Sequence, residues 1–193
     1  MSSQDDRRQY YRIEDRVPMR LTAVEGCTDA PDMEQLEREI PSSFKLINTL
    51  QEIESEASVN LSSLQGTNPG IVDYLRTLNK RLDLIGGYIA EQEFNKARNN
   101  ESVSLSGNGF RLINDEGFAI DTILLIEMLL PYKRTGIHCY GRVIESNQQD
   151  DGFSIAVTYE TIREVDREAI IRHVIRQESK LIRQAKEQAV SKD

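Results

Sequence analysis

Apolar and polar side chains alternate between Tyr11 and Ala23. Tyr11, Ile13, Val17, Met19, Leu21 and Ala23 fall on one face, and Arg12, Glu14, Arg16, Arg20 and Thr22 on the other. A period of two predicts a long antiparallel strand with one face buried. Asp15 interrupts the apolar face. Pro18 cannot donate to a ladder, so it predicts an edge or a bend. The turn-rich stretch 25–32, EGCTDAPD, ends the strand. The period then becomes helical, with Leu46, Leu50, Ile53 and Ala57 recurring at steps of four and three. The stretch 58–70, SVNLSSLQGTNPG, breaks that pattern. Asn68-Pro69 predicts a new helix, with Asn68 as N-cap and proline at the first helical position. Ile71, Leu75, Leu78, Leu82, Ile85 and Ile89 follow at 4-3-4-3-4 spacing, an a/d seam of nearly three heptads. So narrow a stripe predicts a helix partner, and hence self-association, rather than packing on its own domain. Gly86-Gly87 inside this helix costs about 1 kcal/mol per glycine against alanine. The pair predicts a close helix approach or a kink.

Near Asn99-Asn100 the period changes again. Residues 117–130, GFAIDTILLIEMLL, read as a strand ending at Pro131. Ile137, Cys139, Gly141 and Val143 alternate with His138, Tyr140, Arg142 and Ile144, and Phe153, Ile155, Val157 and Tyr159 recur at every second position. SNQQDDG between these two runs predicts a hairpin turn ending in Asp-Gly. A final amphipathic helix starts near Asp166, read as its N-cap, and carries Ile170, Ile171, Val174, Ile175, Leu181, Ile182 and Ala185. The expected fold class is α+β, mainly β. It is a small antiparallel barrel, interrupted after its first strand by a heptad-bearing helical hairpin and closed by a C-terminal helix. As a single domain over 1–193 it divides into an arginine-bearing start and first strand (7–29), a helical insertion for oligomerisation (30–98), the remaining barrel strands (99–162) and the C-terminal helix (163–190). A surface loop tolerates so long an insertion because loop-closure entropy grows slowly with length.

Composition narrows the function. The 193 residues are enough for one domain with a substantial core. Lys and Arg number 24 against 32 Asp and Glu, a net charge of −8. So acidic a chain is a poor general binder of nucleic acid, whose affinity comes from neutralised phosphates. No apolar run approaches the ~20 residues that span a bilayer, so no membrane span is expected. The N-terminal residues lack the apolar core of an export signal. Cys27 and Cys139 are too few and too far apart for a disulfide framework, so free thiols and a cytoplasmic location are expected.

Two clusters could carry binding chemistry. Arg7-Arg8-Gln9-Tyr10-Tyr11-Arg12 places three guanidiniums within six residues. Arginine pairs bidentately with phosphate or with the O6/N7 edge of guanine, and it stacks on flat bases. Alone, the cluster also reads as a solvated basic tail neutralising Asp5, Asp6, Glu14 and Asp15. Ser104-Leu105-Ser106-Gly107-Asn108-Gly109 alternates small polar residues with glycines that let a ligand approach the backbone. Alone, it also reads as an ordinary turn. Other chemistry finds no support. His138 and His173 have no paired metal-ligand spacing, and His138 and Cys139, adjacent on a strand, point to opposite faces. No phosphate-cradling GxxxxGK[ST] loop and no GxSxG elbow is present. Glu52, Glu54 and Glu56 read as a solvated charge run. There is no positive case for an enzyme and no metal site is expected.

Taken together, the clusters resemble the PilZ family, small β-barrel domains that bind the bacterial second messenger cyclic di-GMP. Its signatures are RRxxxR and (D/N)xSxxG. Arg7, Arg8 and Arg12 complete the first; Ser106 and Gly109 match the second, with Ser104 where the family has an acid or amide. The resemblance extends to Leu129-Leu130-Pro131, to Gly141-Arg142-Val143 and to the helix opening at Asp166. It covers roughly residues 7–25 and 100–180. The helical insertion looks like the atypical, tetramer-forming branch of the family. The resemblance implies a cyclic di-GMP receptor with no separate cofactor. Arg7 and Arg8 would close over the ligand, and Arg12 would contact guanine or phosphate. Ser106 would hydrogen-bond to it and Gly109 would keep the backbone clear. Ser104 would accept more weakly than an aspartate, being uncharged and shorter. The implied partners are cyclic di-GMP, further copies of the chain as a dimer or tetramer, and a downstream protein. A ligand-independent oligomeric scaffold is the rival expectation.

Overall fold

The computed structural model describes residues 11–64, 66–94, 102–131 and 134–190. Alternation at the start of the chain gives two strands rather than one, β1 (Ile13–Arg16) and β2 (Met19–Ala23). Then come the helices α1 (Met33–Glu39), α2 (Ser42–Leu64) and α3 (Pro69–Phe94). They are followed by β3 (Ser102–Ser106), β4 (Gly109–Asn114), β5 (Ile123–Leu130), β6 (Thr135–Gln149), β7 (Gly152–Thr161) and α4 (Glu164–Val190).

The strands form one curled half-barrel sheet in the order β1-β3-β4-β7-β6-β5-β2, and every pairing among the described residues is antiparallel. β1 and β2 lie at opposite ends of that order although only Val17 and Pro18 separate them. The expected long strand therefore divides at the proline and its halves line opposite edges of the sheet. Proline has no N–H for a ladder, and its carbonyl accepts from Leu129 N at 3.0 Å. Ile13, Val17 and Met19 are buried as expected, while Tyr11 and Ala23 are exposed. Phe110, Leu124, Ile126, Ile137 and Ile155 fill the concave face, which Ile170 and Val174 of α4 close. Burying each such side chain stabilises the fold by about 1.5–3 kcal/mol.

The outer face of β5 and β6 is also covered. Leu36 of α1 packs on Ile123 and Tyr140, and Ile47 of α2 on Leu129. Asn48 donates from Nδ2 to the Gly136 carbonyl (2.9 Å) and accepts from its N–H (3.1 Å). Burial on both faces explains why β5 is apolar at every position but Glu127.

Several boundaries differ from expectation. α2 continues to Leu64, past the expected break at 58, and the chain turns immediately before Pro69. Residues 117–122 are not strand; Asp121 there has φ 68°. β6 runs on to Gln149, so the hairpin turn is only Asp150-Asp151. α4 opens at Glu164, so Asp166 is not the N-cap. It lies buried in the first turn, held by Arg163 Nε (2.8 Å) and Nη2 (2.9 Å). Burial raises its pKa, and Arg163 opposes the rise. α3 is continuous through its glycine pair. A Cβ on Gly86 would meet Leu50 Cδ1 at 3.2 Å, and one on Gly87 would overlap the Arg134 side chain, so the pair serves close approach. Among the described residues no helix is long and apolar enough to cross a membrane.

Candidate functional site

The site grows from the β1–β3–β4 edge of the sheet. Ile13, Val103, Leu105 and Phe110 point into the core. Alternation then turns Arg12, Glu14, Ser104, Ser106 and Arg111 to the opposite face. The β1–β3 register pairs Ile13 with Leu105 and Glu14 with Ser104. The β3–β4 register pairs Ser104 with Arg111 and Ser106 with Gly109. Arg12 stands one residue before β1, at the Ser106 end of β3. Arg12, Ser104, Ser106 and Gly109 are thus brought to one edge. Arg7 and Arg8 lie outside the described residues.

The serine–glycine motif is a β-hairpin. Ser106 is buried, and its hydroxyl donates to the Gly109 carbonyl across the turn (2.9 Å). Gly109 has a structural reason to be glycine, because a Cβ there would stand 2.0 Å from the Val157 carbonyl oxygen of β7. Ser104 is half-buried.

Residues that the sequence did not mark as ligand contacts complete the surroundings. Arg167 of α4 donates to the Gly107 carbonyl (2.9 Å) and reaches Asn108 Oδ1 (3.4 Å), so the helix grips the hairpin turn. Buried Tyr159 packs on Phe110, with ring centroids 6.0 Å apart. Burial pushes the Tyr159 phenol well above its ordinary pKa; Cys139 adds to this, and the cations Arg167 and Arg12 oppose it. Asp15, the odd polar residue on the apolar face, meets α4: Oδ2 lies 2.7 Å from His173 Nε2 and accepts from Gln177 Nε2 at 3.0 Å. That interruption was the one signal in the sequence for this contact.

His138 and Cys139 point to opposite faces, Cys139 into the core and His138 toward Glu127. Among the described residues no cluster of three or more His, Cys, Asp or Glu could hold a metal. Both cysteines are free. The heptad seam is largely bare in the single chain: Ile71 is 56% exposed, Leu82 53% and Ile85 58%. Val72 and Gly86, which face inward, lie about a quarter-turn away on the same helix.

Residues 84–176 match the PilZ domain family, from the end of α3 into α4. This stretch of the chain is thus similar to PilZ domains, a family of cyclic di-GMP receptors. Its fold is similar to that of a pathogenic protein from Xanthomonas campestris, a tetrameric PilZ domain self-assembled via an unusual helical bundle. The TM-score is 0.58 at 15% identity, and 91% of each chain is covered, so the likeness of fold takes in the helical insertion. The Bacillus subtilis inhibitor of motility aligns over 43% of each chain at 17% identity, with a TM-score of 0.38. No curated protein matches in sequence.

Proposed function

We propose that this protein is a cyclic di-GMP receptor that binds the messenger on the outward face of β1, β3 and β4 and self-assembles through the α3 seam. The observation that carries the reading is the β1–β3 register. It sets the last arginine of the arginine motif beside the serines of the second motif, although they are some 90 residues apart in the chain. In this reading Arg7, Arg8 and Arg12 take phosphates and guanine faces, and Ser104 and Ser106 meet the base edges. Closing of the arginine segment over the ligand would carry the signal. The bare seam supports self-assembly, and the helical-bundle tetramer of the Xanthomonas protein offers an assembly of the same kind.

The test is a calorimetric titration with cyclic di-GMP, with GTP as control. Each charged hydrogen bond contributes about 1.5–3 kcal/mol, so Arg8→Ala or Arg12→Ala should weaken binding at least about tenfold. Unchanged affinity in both variants would overturn this site. Ser104 lacks a carboxylate and the Ser106 hydroxyl is engaged by Gly109; these two facts favour the second reading, a scaffold without a ligand. Absence of heat and of thermal stabilisation in the unsubstituted protein would select it.

A further inference from the structure

We infer that Glu14 supplies the carboxylate that reads the guanine edge, in place of the acid or amide missing at position 104. The inference rests on the proposed ligand. Glu14 and Ser104 are direct cross-strand partners, and both side chains leave the sheet on the face away from the core. Such partners have Cβ atoms about 4.5–5.5 Å apart, so the longer glutamate can bring its carboxylate over the short serine. Guanine presents N1–H and N2–H₂ as adjacent donors. A carboxylate accepts both at once, whereas a serine oxygen is a single neutral acceptor with shorter reach.

The surroundings leave Glu14 available for this work. It is exposed, and among the described residues its side chain has no hydrogen bond or ion pair. Arg111, the other cross-strand neighbour of Ser104, is a cation whose fork is held by Glu145 (2.7 Å) and reaches Ser154 Oγ (3.4 Å). It therefore neither neutralises Glu14 nor replaces it as an acceptor. Arg12 and Arg16 flank Glu14 two residues away on the same face, about 7 Å to either side. An acceptor between two guanidiniums suits a ligand that offers base-edge donors between phosphates.

The sign of one substitution decides the matter. Cyclic di-GMP carries two negative charges, so a bystander carboxylate repels it. Replacing a bystander in Glu14→Gln would leave affinity unchanged or raise it. A carboxylate that reads guanine gives the opposite result, at least about tenfold weaker binding. Ser104→Asp in the Glu14→Gln background should recover most of that loss. Cyclic di-AMP, whose adenine N1 is an acceptor, is the specificity probe. Glu14→Gln should narrow the preference for the guanine ligand over it. Unchanged or tighter binding of cyclic di-GMP to Glu14→Gln overturns the role of Glu14 and leaves the receptor standing. Absence of binding to the unsubstituted protein overturns the receptor and this inference together, before any variant is made.

Discussion

Gly109 shows how one residue can satisfy a ligand motif and a packing constraint together. Its absent Cβ lets β4 approach β7, so Gly109→Ala should destabilise the fold by about 1–3 kcal/mol, measured by urea unfolding. A loss of binding in that variant would therefore report on the scaffold as much as on the ligand. His138 makes a separate prediction. It is buried, and neither ring nitrogen has a hydrogen-bond partner among the described residues. Burial holds its pKa below the ordinary 6.5, Glu127 and Glu39 pull it up, and Arg163 and Lys45 push it down. The unfolded chain then takes up a proton before the folded one does as pH falls. This contribution to stability is whole above pH 6.5 and is lost as pH falls below it, at no more than about 1.4 kcal/mol per unit for one group. His138→Leu should flatten that part of the slope when unfolding is followed between about pH 5 and pH 7, a window that spans the ordinary histidine pKa of about 6.5. An unchanged slope would mean that His138 is not the group responsible. The motif residues Arg12, Ser104, Ser106 and Gly109 were named from the sequence because together they resemble the PilZ signatures; alone, each cluster had an ordinary reading as well. Arg167 was not named, because its contact joins a helix to a distant hairpin turn with no pattern around it to announce the pairing; alternation placed Tyr159 on a buried face but not beside Phe110.

At the scale of elements, the periodic segments were the legible ones. The helical insertion, the alternation in β6 and β7, and the apolar face of α4 all follow from period. The division of the first strand was signalled only by Pro18, read as an edge or a bend; alternation continues across it, so period alone does not separate β1 from β2. The outer coverage of β5 was hidden for a related reason: a strand buried on both faces loses its alternation. The α3 seam was read from spacing, and in the single chain it remains exposed. Leu82→Lys with Ile85→Lys places charges on the seam while leaving Val72 and Gly86, which face inward, untouched. Light scattering should show the unsubstituted protein as a multiple of 22.1 kDa and the double variant near 22.1 kDa. A monomer before substitution would contradict the seam as an interface.

At the scale of the whole molecule, α4 joins the parts of the proposed site. Its residues Ile170 and Val174 close the core, Arg167 grips the hairpin turn at Gly107, and His173 and Gln177 hold Asp15 of β1. The strand that follows the arginine motif and the turn of the serine–glycine motif are therefore both tied to one helix. A ligand drawing the arginine segment onto β3 would act on a body already braced by α4. The surface that changes would be the arginine segment itself. Hydrogen exchange with and without cyclic di-GMP tests this most directly. Binding at this edge should slow exchange in residues 1–12 and across β1 and the β3–β4 hairpin on adding the ligand, with β5 unchanged. Exchange that is the same in those segments at saturating ligand, or slowed elsewhere only, would contradict it.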